Sequence, residues 1–275
     1  MIEALQFEFM RNALYAGILV SIACGVIGTF VVLNRIVFIS GGIAHAAYGG
    51  IGLGYLLGFD PILGALGFSL ASALAMGTVE RKTRQRTDTI IGMMWAVGMA
   101  LGILFLDLSR GYKSDMFGYL FGSILAVPRT DLYIMVGVDV VVVVLAIVFY
   151  RELLAISFDE TFATVRNVKV TAIYLTLMCM IALTVVMMMR IVGLILVIAL
   201  LTIPAAIAGR YARDMRSMML YASILGVLFT VSGLWLSYAL NLTSGATIIL
   251  AAAAGYVLSL TASQVIRRAK RHAKR

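Results

Sequence analysis

An imidazole side chain stands in the middle of a long apolar stretch that is rich in glycine and alanine. His45 lies within residues 40–50, and the other histidine of the chain, His272, belongs to a basic tail. A titratable group inside a membrane span is costly and is therefore a candidate functional group by default. The small residues around His45 would allow neighbouring helices to approach closely. Two interpretations stay open: His45 ligates a metal ion, or it only forms a hydrogen bond with a neighbouring helix.

A carboxylate lies inside another apolar run. Asp139 stands within residues 131–150, roughly 12 Å from the start of that run at 1.5 Å per residue. An isolated carboxylate at this depth must face the interior of a helix bundle or a cavity. Asp139 either lines a pathway through the bundle, or is a hydrogen-bonded structural group, or lies at a shallower depth.

Sulfur-bearing residues are also concentrated in the apolar runs. Cys24 and Cys179 have the pattern of small buried hydrophobic residues, and neither belongs to a Cys-x-x-Cys ligand pair. Five methionines lie close together along the chain: Met178, Met180, Met187, Met188 and Met189. Methionine ligates soft metals but also fills gaps in apolar interiors, and packing is the interpretation favoured here.

The composition requires a membrane. Of the 275 residues, 62% are hydrophobic and 13% are charged, and the mean hydropathy is +1.03. A soluble domain is nearer half apolar and a quarter charged. The expected fold is an all-α integral membrane bundle of about 8–9 transmembrane helices. The net charge of +9 follows membrane topology, so we expect no nucleic-acid partner.

Nine apolar runs place these residues in predicted spans. The runs lie near residues 13–33, 37–57, 61–79, 89–107, 131–150, 169–189, 191–209, 217–239 and 244–264. A shorter apolar piece at 116–127 is predicted to be a re-entrant or interfacial helix. The predicted organisation is a transmembrane domain over residues 1–266, followed by a basic cytoplasmic tail over 267–275.

The distribution of basic residues predicts the orientation. With nine spans and the C-terminus inside, the cytoplasmic segments carry 17 Lys and Arg residues and the outer segments carry 5. This split fits the positive-inside rule, so the N-terminus is predicted to lie outside. His45 would then lie roughly 12 Å into span two, near the middle of a hydrocarbon core about 30 Å thick. The weak point is Arg190, where two runs nearly touch and the number of spans could fall by one.

Residues 151–168 form a polar island between spans five and six. Ser157 or Asp159 is predicted to cap a short helix, and Asn167 to supply the left-handed residue that ends it. Phe158, Phe162 and Val165 recur at i, i+4 and i+7 and form one apolar stripe. Helices that lie on membranes usually present Lys and Arg, whereas this one begins with acids. We therefore expect it to dock into a groove of a partner protein.

Five motifs in order resemble those of one transporter family. They are residues 41–47, 88–92, 119–127, 157–168, and 192–197 with 203–206. Together they make the chain similar to the membrane permease subunit of the zinc, manganese and iron ABC importers. In that family the motifs read D-x-hydrophobic-S/A-H-A, D-T-hydrophobic-hydrophobic-G, Y-L-F-G, S-F-D-x-x-F/L-A-x-x-x-G and V-G-x-L-L-V…P-A-A.

The resemblance implies a function, partners and site residues. It implies a permease dimer in a prokaryotic cell membrane, cytosolic ATP-binding subunits and an extracellular or periplasmic metal-binding protein. It implies no permanently bound cofactor: a divalent metal ion is transported, and ATP acts only through the partner ATPase. His45 and Asp139 are the pathway candidates, with His45 as the metal ligand. The coupling helix that presses on the ATPase would comprise Phe158, Asp159, Glu160, Phe162, Ala163, Val165 and Asn167.

Two departures from the family pattern are relevant. The family often has Asp four residues before the histidine, one turn away on the same helix face. Here that position is Gly41, so a carboxylate–histidine pair within span two is absent. The terminal glycine of the coupling motif is Asn167, which also tolerates the left-handed conformation.

Other classes of protein are less consistent with the sequence. The chain contains no HExxH, GxSxG or GxxxxGK[ST] motif, so we expect neither an enzyme nor ATP hydrolysis by this chain. The main alternative is a stand-alone secondary transporter or channel for a cation, which would have no need of the acid-led helix. Permeases for vitamin B12 or iron–siderophore complexes generally have more spans and a longer chain.

Overall fold

The computed structural model describes residues 6–83, 87–109, 118, 122, 124–191, 193 and 197–272, and within them every regular element is helical. The helices are α1 Glu8–Leu33, α2 Val37–Leu57, α3 Pro61–Thr83, α4 Thr87–Leu108, α5 Arg129–Val148, α6 Tyr150–Phe158, α7 Glu160–Val165, α8 Val170–Ile191, α9 Val197–Tyr211, α10 Met215–Leu240 and α11 Ser244–His272. A single 3₁₀ turn, Ile124–Ala126, precedes α5. The predicted all-α membrane bundle is confirmed.

Within the described residues, eight helices are long and apolar enough to cross a membrane, namely α1, α2, α3, α4, α5, α8, α10 and α11. The ninth predicted span is shorter. Helix α9 has 15 residues, which is about 22 Å and less than a hydrocarbon core of about 30 Å. The predicted start at residue 191 was too early, because α8 continues through Arg190 to Ile191 and α9 begins only at Val197. Gly193, between them, has a φ of 79°, a left-handed conformation that suits glycine.

Helices α2, α3 and α4 form one half of the bundle, and glycines set their spacing. A Cβ atom built on Gly50 of α2 would collide with the carbonyl oxygen of Gly64 of α3. On another face of α2, a Cβ on Gly52 would collide with the carbonyl oxygen of Gly102 of α4. The backbones can approach this closely only because these positions carry no side chain. The glycine-rich stretch around His45 therefore lies at the centre of a three-helix unit.

Helix α1 is the centre of the other half. It packs on α10, α9, α5 and α8. The Ser21 and Thr230 hydroxyls lie 3.2 Å apart between α1 and α10. A Cβ on Gly28 would collide with the Leu201 carbonyl oxygen of α9. Small and hydroxyl-bearing residues thus join helices here as well, as packing in lipid requires.

The polar island contains two helices where one was predicted. Helix α6 runs to Phe158, and α7 begins at Glu160 after an extended residue, Asp159 (φ −156°, ψ 105°). Asp159 rather than Ser157 caps α7: its Oδ1 accepts hydrogen bonds from the backbone N–H groups of Thr161 (2.8 Å) and Phe162 (3.0 Å). Phe158 therefore ends α6 instead of belonging to α7.

Asn167 ends α7 as predicted, with a φ of 58°. The N–H of Asn167 donates to the carbonyl of Thr164, and the N–H of Val168 donates to the carbonyl of Ala163, both at 3.0 Å. These two bonds are the Schellman arrangement, which requires a left-handed residue at this position. Local side-chain chemistry thus fixes both ends of this short helix.

Half of the predicted helix at 116–127 falls outside the described residues. Its described end packs into the bundle: Ile124 is fully buried, and the Asn12 amide of α1 donates to the Val127 carbonyl oxygen at 3.3 Å. The basic tail predicted over 267–275 continues α11 as far as His272.

Candidate metal site and docking surface

His45 lies on the face of α2 that packs against α4. His45, Gly49 and Gly52 share this face at i, i+4 and i+7. Trp95 lies on α4, opposite His45. The His45 imidazole stacks on the Trp95 indole, with ring centroids 3.7 Å apart and ring planes inclined by 16°. The indole therefore fixes the plane of the imidazole ring.

The His45 imidazole is buried but incompletely satisfied. The residue is 9% exposed, and its Nδ1 atom has no hydrogen-bond partner among the residues that the structure describes. A buried polar atom without a partner is rare and requires an explanation. A neutral imidazole nitrogen in this state is able to accept a metal ion.

Trp95 was not singled out from the sequence. Trp95, Gly98 and Gly102 of α4 lie at i, i+3 and i+7, the spacing of one helix face. A Cβ on Gly98 would collide with the backbone of Ala46, next to His45. The spacing of Trp95 and these two glycines on one helix face could have indicated a close helix contact. The sequence did not show which helix this face contacts.

The missing acid of span two is replaced by an apolar side chain from another helix. A Cβ on Gly41 would lie 2.6 Å from Cδ1 of Ile198 in α9, and Trp95 is the next neighbour. In the described part of the chain, no group of three or more His, Cys, Asp and Glu side chains is placed to hold a metal ion. Within one copy of this chain, His45 therefore belongs to no such group among the described residues.

Asp139 lies inside the bundle, as its depth predicted, but in the other half. It is 6% exposed, and its Oδ1 atom has no hydrogen-bond partner within the described ranges. Helix α5 packs mainly on α1 and α8, whereas α2 packs mainly on α3 and α4. His45 and Asp139 therefore face different helix groups within one chain, and a role for either on the pathway stays a prediction.

The predicted apolar stripe of the island is exposed. Phe158, Phe162 and Val165 are 74%, 54% and 78% exposed, whereas Ala163 is fully buried. The Arg166 guanidinium lies over the Phe162 ring, 5.2 Å from its centroid. Phe158 ends α6 whereas Phe162 and Val165 lie on α7, so the three do not form the single helical stripe that was predicted, but all three are exposed large apolar groups within eight residues of the chain.

A polar network fixes α7 to the bundle. Arg81 at the end of α3 forms a 2.7 Å ion pair with Glu160, and its guanidinium lies 4.5 Å from the Tyr174 ring centroid. The Tyr174 hydroxyl of α8 donates to Glu80 at 2.5 Å. Glu160 therefore contacts α3, while Phe158, Phe162 and Val165 stay exposed. The sequence showed these charges but not this network, because its members are far apart along the chain.

A membrane-spanning helical bundle with a short helix held at one end is consistent with a transport permease. Comparison with known proteins gives the same class. The sequence model of the ABC 3 transport family matches residues 6–263. The chain belongs to this family, which confirms the resemblance drawn from the motifs.

Individual relatives cover nearly the whole chain. An uncharacterized membrane protein of Synechocystis sp. is 61% identical over 94% of this chain and 92% of its own length. The manganese import system permease protein ScaB of Streptococcus gordonii is 33% identical over 98% of this chain and 96% of its own length. The solved structure of PsaBC from Streptococcus pneumoniae in complex with Fab matches with a TM-score of 0.85 and 36% identity, over 94% of this chain and 93% of that chain.

Proposed function

We propose that this chain is the membrane permease of an ATP-driven importer for a divalent transition metal, with Mn(II) as the favoured ion. The observation that carries the proposal is the exposure of Phe158, Phe162 and Val165 at one end of a membrane bundle. The chain has no nucleotide-binding motif of its own, so a partner ATPase must supply the energy. Membership in the ABC 3 transport family and the likeness to a manganese import permease support this assignment.

The mechanism follows from how α7 is connected. ATP-driven closure of the ATPase pushes α7, and the Arg81–Glu160 ion pair transfers the displacement to α3. Helices α2, α3 and α4 move with it as one unit, because their glycine contacts leave no compressible side chains between the backbones. His45 lies within that unit, so its access alternates between the two sides of the membrane.

The remaining features of the proposal concern topology and partners. The N-terminus lies outside and the C-terminus in the cytoplasm, because 17 of the 22 Lys and Arg residues then fall on the inner side. Two permease copies form the pathway, which supplies the further ligands that one copy lacks beside His45. A metal-binding protein delivers the ion from outside. The permease holds no permanent cofactor, and the metal ion is its substrate.

A pull-down from native membranes tests the assignment. In mild detergent, an ATP-hydrolysing subunit is expected to copurify with the wild type and to be lost from Phe158→Asp, because a charge replaces an apolar contact. The matched control is Leu242→Asp, also an exposed apolar residue, which lies in the α10–α11 loop. Retention of the ATPase by Phe158→Asp would remove the coupling-helix assignment. Ion flux by the purified chain alone would favour a secondary carrier.

A further inference from the structure

A cavity opens between α1, α5 and α10, at the end of the bundle that carries α7. It has a volume of about 280 Å³, several times the roughly 30 Å³ that one water molecule occupies in the liquid. Both α5 and α10 pack on α1, and the cavity lies in the gap between them. Its apolar wall is formed by Val26, Val143, Ala146, Ile147 and Met219.

The polar part of the wall is a guanidinium held over an aromatic ring. Arg216 of α10 lies with its guanidinium carbon 4.9 Å from the centroid of the Tyr150 ring. Both residues line the cavity, and no carboxylate of the described chain does. Arg216 forms no ion pair with the described residues. The carboxylate of Asp214, two residues earlier, is used to cap α10 through Ser217.

We propose that this cavity binds one phospholipid with an anionic headgroup. An acyl chain lies along the apolar wall, and the phosphate contacts the Arg216 guanidinium at the mouth. The site lies outside the transport pathway proposed at His45, and neither depends on the other. In the orientation proposed above the α7 end is cytoplasmic, so the lipid belongs to the inner leaflet.

The order of groups along the cavity matches that of a phospholipid. Val26 lies seven residues before the end of α1, about 10 Å from that end at 1.5 Å per residue. Val143 lies five residues before the end of α5, about 8 Å by the same measure. Arg216 and Tyr150 lie in the first turns of α10 and α6, at the end of the bundle. The apolar wall is therefore at the depth of the acyl chains, and the guanidinium is at the depth of the headgroups.

The apolar wall requires a hydrocarbon occupant. An empty gap would deprive the lining side chains of van der Waals contacts, and water is unfavourable against an apolar surface. Ile147, on the rim, is 70% exposed, so the gap is open to the surroundings of the helices, which in a membrane are acyl chains. One of these chains fills the gap without either cost.

Arg216 selects the headgroup. A guanidinium binds phosphate oxygens with two parallel hydrogen bonds, and basic pockets between membrane helices bind anionic lipid headgroups. A cation in the first turn of a helix is disfavoured by the helix dipole, so Arg216 does not stabilise α10 by its charge. The positive-inside rule explains a basic residue at this end, but not its position over Tyr150 at the cavity.

Native mass spectrometry of the delipidated full-length chain, titrated with phosphatidylglycerol, tests the site. The wild type should bind one phosphatidylglycerol severalfold more tightly than phosphatidylcholine with the same acyl chains, because the choline cation opposes Arg216. Arg216→Gln should lower the affinity for phosphatidylglycerol at least about tenfold, as expected when a hydrogen bond to a charged group is lost. Arg213→Gln is the matched control: it removes the same charge from an exposed residue outside the cavity wall and should bind as the wild type does.

A second pair of variants tests the acyl-chain part of the site. Val143→Trp fills the gap and should weaken binding by about fourfold for each methylene group that it displaces. Val144→Trp makes the same change on the next residue, which is exposed and outside the wall, and should bind as the wild type does. Millimolar inorganic phosphate should not displace the lipid, because it has no chain to bury.

The outcomes that would overturn the site leave the transport assignment intact. They are equal affinities for the two lipids, equal effects of Arg216→Gln and Arg213→Gln, and displacement of the lipid by inorganic phosphate. Gel filtration separates lost binding from misfolding, and a monodisperse Arg216→Gln with wild-type affinity also overturns the site. Oxidation of Ile147→Cys in native membranes tests another occupant: a disulfide between two copies, absent from the wild type, would place a second permease over the cavity instead of a lipid.

Discussion

At the scale of single residues, His45 is defined by what its ring contacts and by what it lacks. Trp95 stacks on one face of the imidazole, and the Nδ1 atom has no partner in the portion of the chain described. A structural histidine normally satisfies its buried nitrogens. No helix-to-helix hydrogen bond through Nδ1 is formed among the described residues, and the role of His45 as a metal ligand stays a prediction.

Replacing this imidazole tests its role. His45→Ala should lower metal uptake about tenfold or more, because even indirect support of a metal ligand is worth that much. Membrane insertion and thermal stability should change little, since α2 is held by its glycine contacts. Metal uptake in cells, normalised to the permease level in the membrane, is the measurement. Trp95→Phe is the control that keeps an aromatic face, and unchanged uptake in His45→Ala would leave His45 as a packing residue.

The sequence predicted residues whose roles depend on local rules. Asp159 as a cap and Asn167 as a left-handed end follow from side-chain and backbone chemistry within one turn, and the structure has both conformations. His45 was found because its chemistry contrasts with its surroundings. Trp95 and Ile198 were not found, because their positions beside α2 depend on how distant helices pack.

At the scale of helices, the α2–α3 contact depends on the absence of side chains. Gly50→Ala should place a methyl group against the Gly64 carbonyl oxygen and force the backbones apart. Overpacking of this kind costs about 1–3 kcal/mol. Thermal unfolding in detergent is the measurement, and a lower midpoint is expected.

The matched control for Gly50 is on the neighbouring helix. A Cβ on Gly67 of α3 meets nothing within 4 Å in the described structure, so Gly67→Ala should be neutral or stabilising by up to about 1 kcal/mol. Equal midpoints for Gly50→Ala and the wild type would contradict the close approach of α2 and α3.

The connection between α7 and α3 gives a prediction about coupling. Arg81→Glu should reduce ATP-driven uptake severalfold while the ATPase still copurifies, because Phe158, Phe162 and Val165 are intact but the displacement no longer reaches α3. Glu160 is half-exposed, so the ion pair itself is worth only about 0–1 kcal/mol and stability should hardly change. The charge-reversed pair Arg81→Glu with Glu160→Arg should restore uptake; no rescue would place the coupling elsewhere.

Element boundaries were less predictable than element types. All nine predicted spans contain a helix, but α9 starts six residues later than its apolar run, whose first residue, Ile191, still belongs to α8. The island contains α6 as well as α7. Helix α6 begins at Tyr150, and Phe149 is both the C-cap of α5 and the N-cap of α6. The sequence has no Gly or Pro at this junction to mark it.

At the scale of the whole molecule, α2, α3 and α4 form one helix group and α1 is the centre of another, and the two join where α3 packs on α8. Helices α2, α3 and α4 hold His45 and are linked to α7 through Arg81. Asp139 lies on α5, in the other group. The order of apolar runs predicted a bundle, but not which runs group together, because contacts between helices are not encoded in hydropathy. The ABC 3 transport family, to which the chain belongs, matches it over residues 6–263, so both helix groups lie within the matched range.

The central claim is that metal movement through this chain requires a separate ATPase. The most direct measurement is Mn(II) uptake into proteoliposomes that contain the permease alone or with its copurified ATPase, each with and without ATP. The account predicts uptake only when ATPase and ATP are both present, with near-background uptake for the Phe158→Asp permease. Mn(II) flux through the permease alone, unchanged by ATP, would contradict it.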